Sequence, residues 1–153
     1  MFFVVRSSHP GREAKILLQL ATNTYNAYNG FGGFSLYTYW GPAHWNKKHE
    51  PGDELGRRVS FQRPFSGIDR NWELPFIRWS ERAGYKIDYA INSDLEFHPE
   101  ILGHYKLVLS VGHDEYWSAP MRDHLETYIA NGGNVAFFSG NTCCWQVRSE
   151  DCL

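Results

Sequence analysis

Two short strings, VGHDEYWS (111–118) and FFSGNTCCWQ (137–146), hold most of the chemically capable residues of this chain. In the first, His113 and Glu115 stand two positions apart, close enough for one tight loop to present both to a single site. An imidazole beside a carboxylate suits general acid–base work. The same pair can hold a metal that polarises a carbonyl. In the second string Asn141 follows Ser139-Gly140, and its amide can donate to a developing oxyanion. Each residue also has a structural reading. Asp114 and Glu115 precede a helix and favour its positive end, and a turn asparagine commonly bonds its own backbone. Cys143 invites a nucleophile reading, but no Gly-x-Cys-x-Gly elbow surrounds it, so it reads as a small buried hydrophobe. The adjacent Cys143 and Cys144 lack zinc-finger spacing.

Tyrosines add a second kind of donor. Phenolate oxygen is a hard ligand suited to ferric iron. Tyr25, Tyr28, Tyr37 and Tyr39 follow the apolar run 16–21 within an aromatic cluster that extends through Trp40 and Trp45. Taken structurally, they pack with hydroxyls at the surface. The aromatic segment 25–45 also suits stacking on sugar faces, so a non-enzymatic carbohydrate-binding or structural α/β domain stands beside an enzyme as an alternative.

Strand-like runs at 16–21, 86–90, 106–111 and 134–138 must position these groups. FFVV (2–5) is a further short strand candidate. Between the runs, 71–84 reads as a helix from a cap at Asn71, with Pro75 in its first turn and a stop at Gly84. Residues 98–105 read as a short helix or turn. Ser118 caps a helix whose Met121, Leu125, Tyr128 and Ile129 share a face, and Asn131-Gly132-Gly133 stops it. The stretch 22–72 reads as one long aromatic and glycine-rich loop region, with a strand candidate at 57–65. Alternating strands and helices predict an α/β fold with a doubly wound, mostly parallel sheet. The loops after 16–21, 106–111 and 134–138 then leave the sheet at one edge. His113 and Glu115 are expected there to face Asn141 and Tyr25 or Tyr28.

Composition narrows the partners. The 153 residues carry 15 basic and 17 acidic side chains, a net charge of −2, with no basic stripe for nucleic acid. No apolar run nears the roughly 20 residues that span a bilayer, and the first residues lack the layout of a signal peptide. Three cysteines make no disulfide framework, which points to the cytoplasm. The chain opens inside a strand-like run and stops shortly after the last one. It reads as a single α/β domain over 1–153, truncated from a larger polypeptide.

The strings TNTYNAYNGFGGFSLY (22–37), VSFQRPF (59–65), ELPFIRWSERAGYKIDY (73–89), LVLSVGHDEYWS (107–118) and GGNVAFFSGNTCCWQVR (132–148) resemble the C-terminal catalytic region of the N,N-dimethylformamidase large (beta) subunit. The resemblance implies a class I glutamine amidotransferase-like sandwich without that class's cysteine nucleophile. It implies an amidohydrolase that cleaves the C–N bond of a small amide such as a formamide. A mononuclear ferric iron (Fe3+) would be held by two tyrosines and a glutamate, acting as a Lewis acid and activating water. On the matching strings Glu115 is the carboxylate ligand, His113 the acid–base or orienting group, and Asn141 the contact to substrate or oxyanion. By the same resemblance Tyr28, preferred to Tyr25, and Tyr37 would be the tyrosine ligands. The family often has tyrosine after Arg-Pro, where this chain has Phe65. A small partner subunit and homo-oligomeric assembly are implied as well.

Overall fold

The runs Leu17–Leu20 and Val108–Val111 are buried throughout, as strands covered on both faces must be. In the computed structural model, which describes residues 3–37, 56–64 and 67–150, they form the centre of a parallel sheet. Strand β1 (Ile16–Leu20) leads into helix α1 (Thr22–Tyr28). Helix α2 (Glu73–Arg82), strand β2 (Ile87–Ile91) and helix α3 (Asn92–Phe97) follow. A 3-10 turn (Pro99–His104) precedes strand β3 (Leu107–His113), the short strand β4 (Tyr116–Ser118) and helix α4 (Ala119–Ala130). Strands β5 (Asn134–Gly140) and β6 (Trp145–Val147) complete the described chain.

The main sheet has the order β2-β1-β3-β5 and is parallel at every pairing. Side chains alternate between two cores. On one face Leu17 and Val108 pack with Leu95 of α3 and with Met121 and Leu125 of α4. On the other, Leu18, Leu20, Leu109 and Val111 pack with Phe76 and Ile77 of α2. Helices on both faces make the sheet doubly wound, as expected. The strand order reverses between β1 and β3, and α/β folds open a ligand crevice beyond the strand ends at such a point.

Several local expectations change. Residues 3–5 form no strand, although Val4 packs against the sheet. The expected loop after β1 begins as helix α1. Its first turns lie over the strand end, where Thr22, Thr24, Asn26 and Ala27 are buried. Residues 56–64 hold no strand, and Phe65 lies outside the described residues, as do Tyr39, Trp40 and Trp45. Asn71 does not cap α2. Asp69 supplies the turn instead, its Oδ1 accepting the backbone N–H groups of Asn71 (2.7 Å) and Trp72 (2.8 Å). Ser118 does cap α4, accepting from the Met121 N–H at 3.3 Å. Met121 and Leu125 face the core, but Ile129 is exposed. Strands β3 and β5 run two residues further than expected, so His113 and Gly140 sit on the sheet rather than in loops. Cys143 is exposed, not buried, because it occupies a left-handed turn outside the sheet (φ +57°).

Candidate active site

Register brings the two informative strings together. His113 of β3 pairs with Gly140 of β5, which puts Asn141 beside the imidazole. The chain then wraps Asp114 and Glu115. The Cys143 N–H donates to the Asp114 carbonyl (3.1 Å) and the Trp145 N–H to the Glu115 carbonyl (2.9 Å), opening the β4–β6 pair. Asn141 adopts φ +52°, a conformation that asparagine tolerates better than most residues. From α1, the Thr24 hydroxyl accepts the N–H groups of Glu115 (3.0 Å) and Tyr116 (3.4 Å). Helix α1 thereby fixes the Glu115 backbone while carrying Tyr28 over it.

The Glu115 side chain is only 2% exposed, and one of its oxygens collects three contacts. Oε1 lies 2.8 Å from the Tyr28 hydroxyl, 2.6 Å from His113 Nε2 and 3.2 Å from Asn141 Nδ2. A 2.6 Å approach to a carboxylate requires a proton on Nε2. The Asn141 amide therefore donates to Oε1, and its 3.2 Å approach to Nε2 is proximity rather than a bond. Four of the five expected side chains thus meet at one atom. The fifth, Tyr37, stacks on the Tyr28 ring, with centroids 4.6 Å apart. Tyr25 is directed elsewhere, donating its hydroxyl to Glu73. Burial first, and then the hydrogen bond to Glu115, push the Tyr28 hydroxyl well above the usual phenol range. The Tyr116 hydroxyl is pushed up to about 12, mainly by burial and next by the Glu115 charge. A phenolate at Tyr28 therefore needs a cation beside it.

The donor set fits a hard cation. The Tyr28 and Glu115 oxygens lie 2.8 Å apart, so one small ion can touch both, and phenolate with carboxylate is a hard oxygen pair. No cluster of three or more His, Cys, Asp or Glu side chains suited to a metal occurs among the described residues, so any site here depends on tyrosine.

Four further residues shape the site without having drawn notice in the sequence. Trp72 stacks on the His113 imidazole, centroids 5.5 Å apart and planes 21° from parallel. Gly112 makes room for it: a Cβ there would sit 3.3 Å from the Trp72 Cβ, at a backbone φ of +91°. Glu73 is buried at the start of α2, where its carboxylate accepts from the Ala21 and Asp69 N–H groups, each at 3.2 Å. Burial pushes its carboxyl up to about 7. The Arg63 guanidinium donates to the Asn26, Asn29, Phe31 and Phe34 carbonyls and to Asn26 Oδ1. It ties the 60–64 turn to the end of α1. The sequence signals were faint: a glycine directly before His113, and an acidic residue opening a helix, which normally reads as a dipole effect. Beside His113 lies a cavity of about 750 Å³ whose lining includes Tyr25, Tyr28, Ile68, Arg70 and Trp72.

The model of the N,N-dimethylformamidase beta subunit-like, C-terminal family matches residues 1–152. An N,N-dimethylformamidase beta subunit from Alcaligenes sp is 35% identical over 87 residues, covering 54% of this chain and 11% of that protein. One from Paracoccus aminophilus is 34% identical over 98 residues, covering 61% of this chain and 12% of that protein. The chain thus spans a small fraction of the length of the curated relatives it matches. No helix among the described residues is long and apolar enough to cross a membrane.

Proposed function

The chain belongs to the N,N-dimethylformamidase beta subunit-like, C-terminal family, and from that premise we propose that it carries the iron site of a hydrolase cleaving the C–N bond of a linear amide, formamides included. The observation that carries the reading is the meeting of Tyr28, His113 and Asn141 on Glu115 Oε1 at the β1/β3 strand ends. Tyr28 and Glu115 would hold a ferric ion, with Tyr37 as the second phenol. When bound, such an ion polarises the amide carbonyl and acidifies water.

The remaining work falls to the chain's own groups. Hydrolysis adds the water oxygen to the carbonyl carbon, breaks the C–N bond and needs a proton moved to the departing nitrogen. The His113 imidazole is 34% exposed, with one face on Trp72, so it can reach that proton from the cavity side. The Asn141 amide, presented by its left-handed turn, can donate to the carbonyl oxygen as charge develops there. The parallel sheet with helices packed on both faces supports extending the proposal to a glutamine amidotransferase-like sandwich, one without that class's cysteine nucleophile. The relatives' names as beta subunits support assembly with another subunit. In the carbohydrate-binding alternative the aromatic faces would bind sugar, but Tyr28 is already engaged with Tyr37 and Glu115.

The test is iron per chain in the full-length protein, measured with dimethylamine release from N,N-dimethylformamide and with cleavage of other formamides. Bound iron and amine release, both lost in Glu115→Ala, are expected. Iron-free protein that cleaves no formamide even after loading with ferric ion would overturn the reading.

A further inference from the structure

We infer that the cavity beside His113 accepts an amide that also bears a carboxylate, with Arg70 as the partner of that carboxylate. The inference rests on the hydrolase reading for the amide and on the cavity lining for the anion. A volume of about 750 Å³ belongs with pockets that hold drug-sized ligands. A molecule as small as dimethylformamide would leave most of it to water.

The polar groups of the lining are mostly committed. Tyr25 donates to Glu73, and Tyr28 to Glu115. Asn29 donates to the Pro64 carbonyl (3.1 Å) and accepts from the Phe31 N–H (3.0 Å). Asp69 Oδ1 accepts two backbone N–H groups. The lining groups that make no hydrogen bond with a described residue include the edge of His113 away from Glu115, the Trp72 indole N–H and the Arg70 guanidinium, and of these the guanidinium is the one suited to an anion. Arg70 is exposed and has no hydrogen bond or ion pair with any described residue. The contrast with Arg63 is instructive, since that guanidinium is consumed by carbonyls. An arginine fork recognises a planar oxyanion through two parallel hydrogen bonds. The lining holds one guanidinium and also the Asp69 carboxylate, a balance that suits a single negative charge better than a phosphate dianion. Ile68 and Trp72 give the same cavity an apolar wall. The substrate class is therefore an N-acyl or N-formyl amino acid, its amide at His113 and its carboxylate at Arg70.

The probes are N-formylglycine and N-formylglycinamide, which differ in charge at the far end. Full-length, iron-loaded protein is expected to favour the acid by about 10- to 100-fold in kcat/KM. Arg70→Gln should erase most of that ratio through KM, and Arg70→Lys should restore part of it. Ligand-observed NMR on the metal-depleted protein measures binding of both probes without turnover. Tighter binding of the acid that depends on Arg70 upholds the inference even if neither compound is hydrolysed, an outcome that would sink only the hydrolase reading. Hydrolysis of both at equal efficiency, or an acid preference that survives Arg70→Gln, overturns the inference and leaves the hydrolase standing. Neither turnover nor Arg70-dependent binding overturns both.

Discussion

Glu115 Oε1 receives a phenol, an imidazole and an amide, and removing the acceptor should have a different consequence from removing the imidazole or the amide. In the proposed iron site Glu115→Ala would delete a ligand and its negative charge together, so iron should be lost. His113→Ala keeps the oxygen donors; iron should stay while turnover falls ~100- to 10,000-fold, the usual worth of a positioned acid–base group. Asn141→Ala should also keep iron and lower turnover on the order of 100- to 1,000-fold. Because Asn141 stands at φ +52°, alanine there adds backbone strain. Asn141→Gly removes the strain and the amide together. It should unfold no more easily than the parent yet be as slow as the alanine variant, which separates strain from chemistry. Metal analysis, formamide turnover and urea unfolding on the four proteins decide the matter; a Glu115→Ala protein with full iron and full rate would remove Glu115 from the site. At this scale the sequence was readable where site residues follow strands. His113, Glu115 and Asn141 sit at neighbouring strand ends, so order along the chain implied nearness in space. Trp72 gave no such sign, because its stack on His113 joins positions far apart in sequence through a loop.

Elements were legible where punctuation was strong and illegible where tertiary contacts make the element. Helices α2 and α4 end near Gly84 and Gly132, both at positive φ, and the four main strands carry long apolar runs. Helix α1 reads as loop because TNTYNAY is polar and aromatic. It is helical because Ala27 packs inward while Thr24 and Asn26 find partners in the Glu115 backbone and Arg63. The three-residue strands β4 and β6 exist only through each other. Two anchors hold these elements to the site, and each can be tested. Arg63→Ala frees several carbonyls at the end of α1 and should cost about 2–4 kcal/mol in urea unfolding, with iron lost because Tyr28 is no longer held. Arg63→Lys should not rescue it, since an ammonium cannot span that set of carbonyls. Glu73 anchors the start of α2 and predicts a pH dependence. Burial raises its carboxyl from 4.5 to about 7, so the folded protein holds the proton more tightly than the unfolded chain. Stability from this group is therefore greatest at low pH and falls as pH rises from about 4.5 to 7, by on the order of 3 kcal/mol at most. Buried Asp114 is shifted in the same direction, also by burial. The discriminating quantity is thus the difference in slope between the parent and Glu73→Gln across that window. Equal slopes would show that Glu73 does not titrate there.

On the scale of the whole molecule, the sheet does two things at once. Its order reverses between β1 and β3, so α1 and the 113–115 turn converge beyond the strand ends and form the candidate site. Its outer strand β5, by contrast, has no neighbour on its far side among the described residues. Phe137 and Phe138 of β5 are 45% and 63% exposed, and Trp145 beyond it is 55% exposed. Phe138 approaches Phe76 of α2 (centroids 6.5 Å) and Phe137 approaches Trp117 (6.3 Å), so apolar surface flanks the edge on both faces of the sheet. A regular edge strand with exposed aromatics is a template for pairing with another chain. These 153 residues expressed by themselves should therefore self-associate through β5 at concentrations of about 100 µM. Phe138→Lys places a charge on that edge without disturbing the buried residues of β3. It should shift the sedimentation profile toward monomer and leave the circular dichroism spectrum unchanged. Monomeric behaviour of the unsubstituted chain at that concentration, with cooperative unfolding, would show that the β5 edge protects itself. Association that persists unchanged in Phe138→Lys would move the contact elsewhere on the molecule.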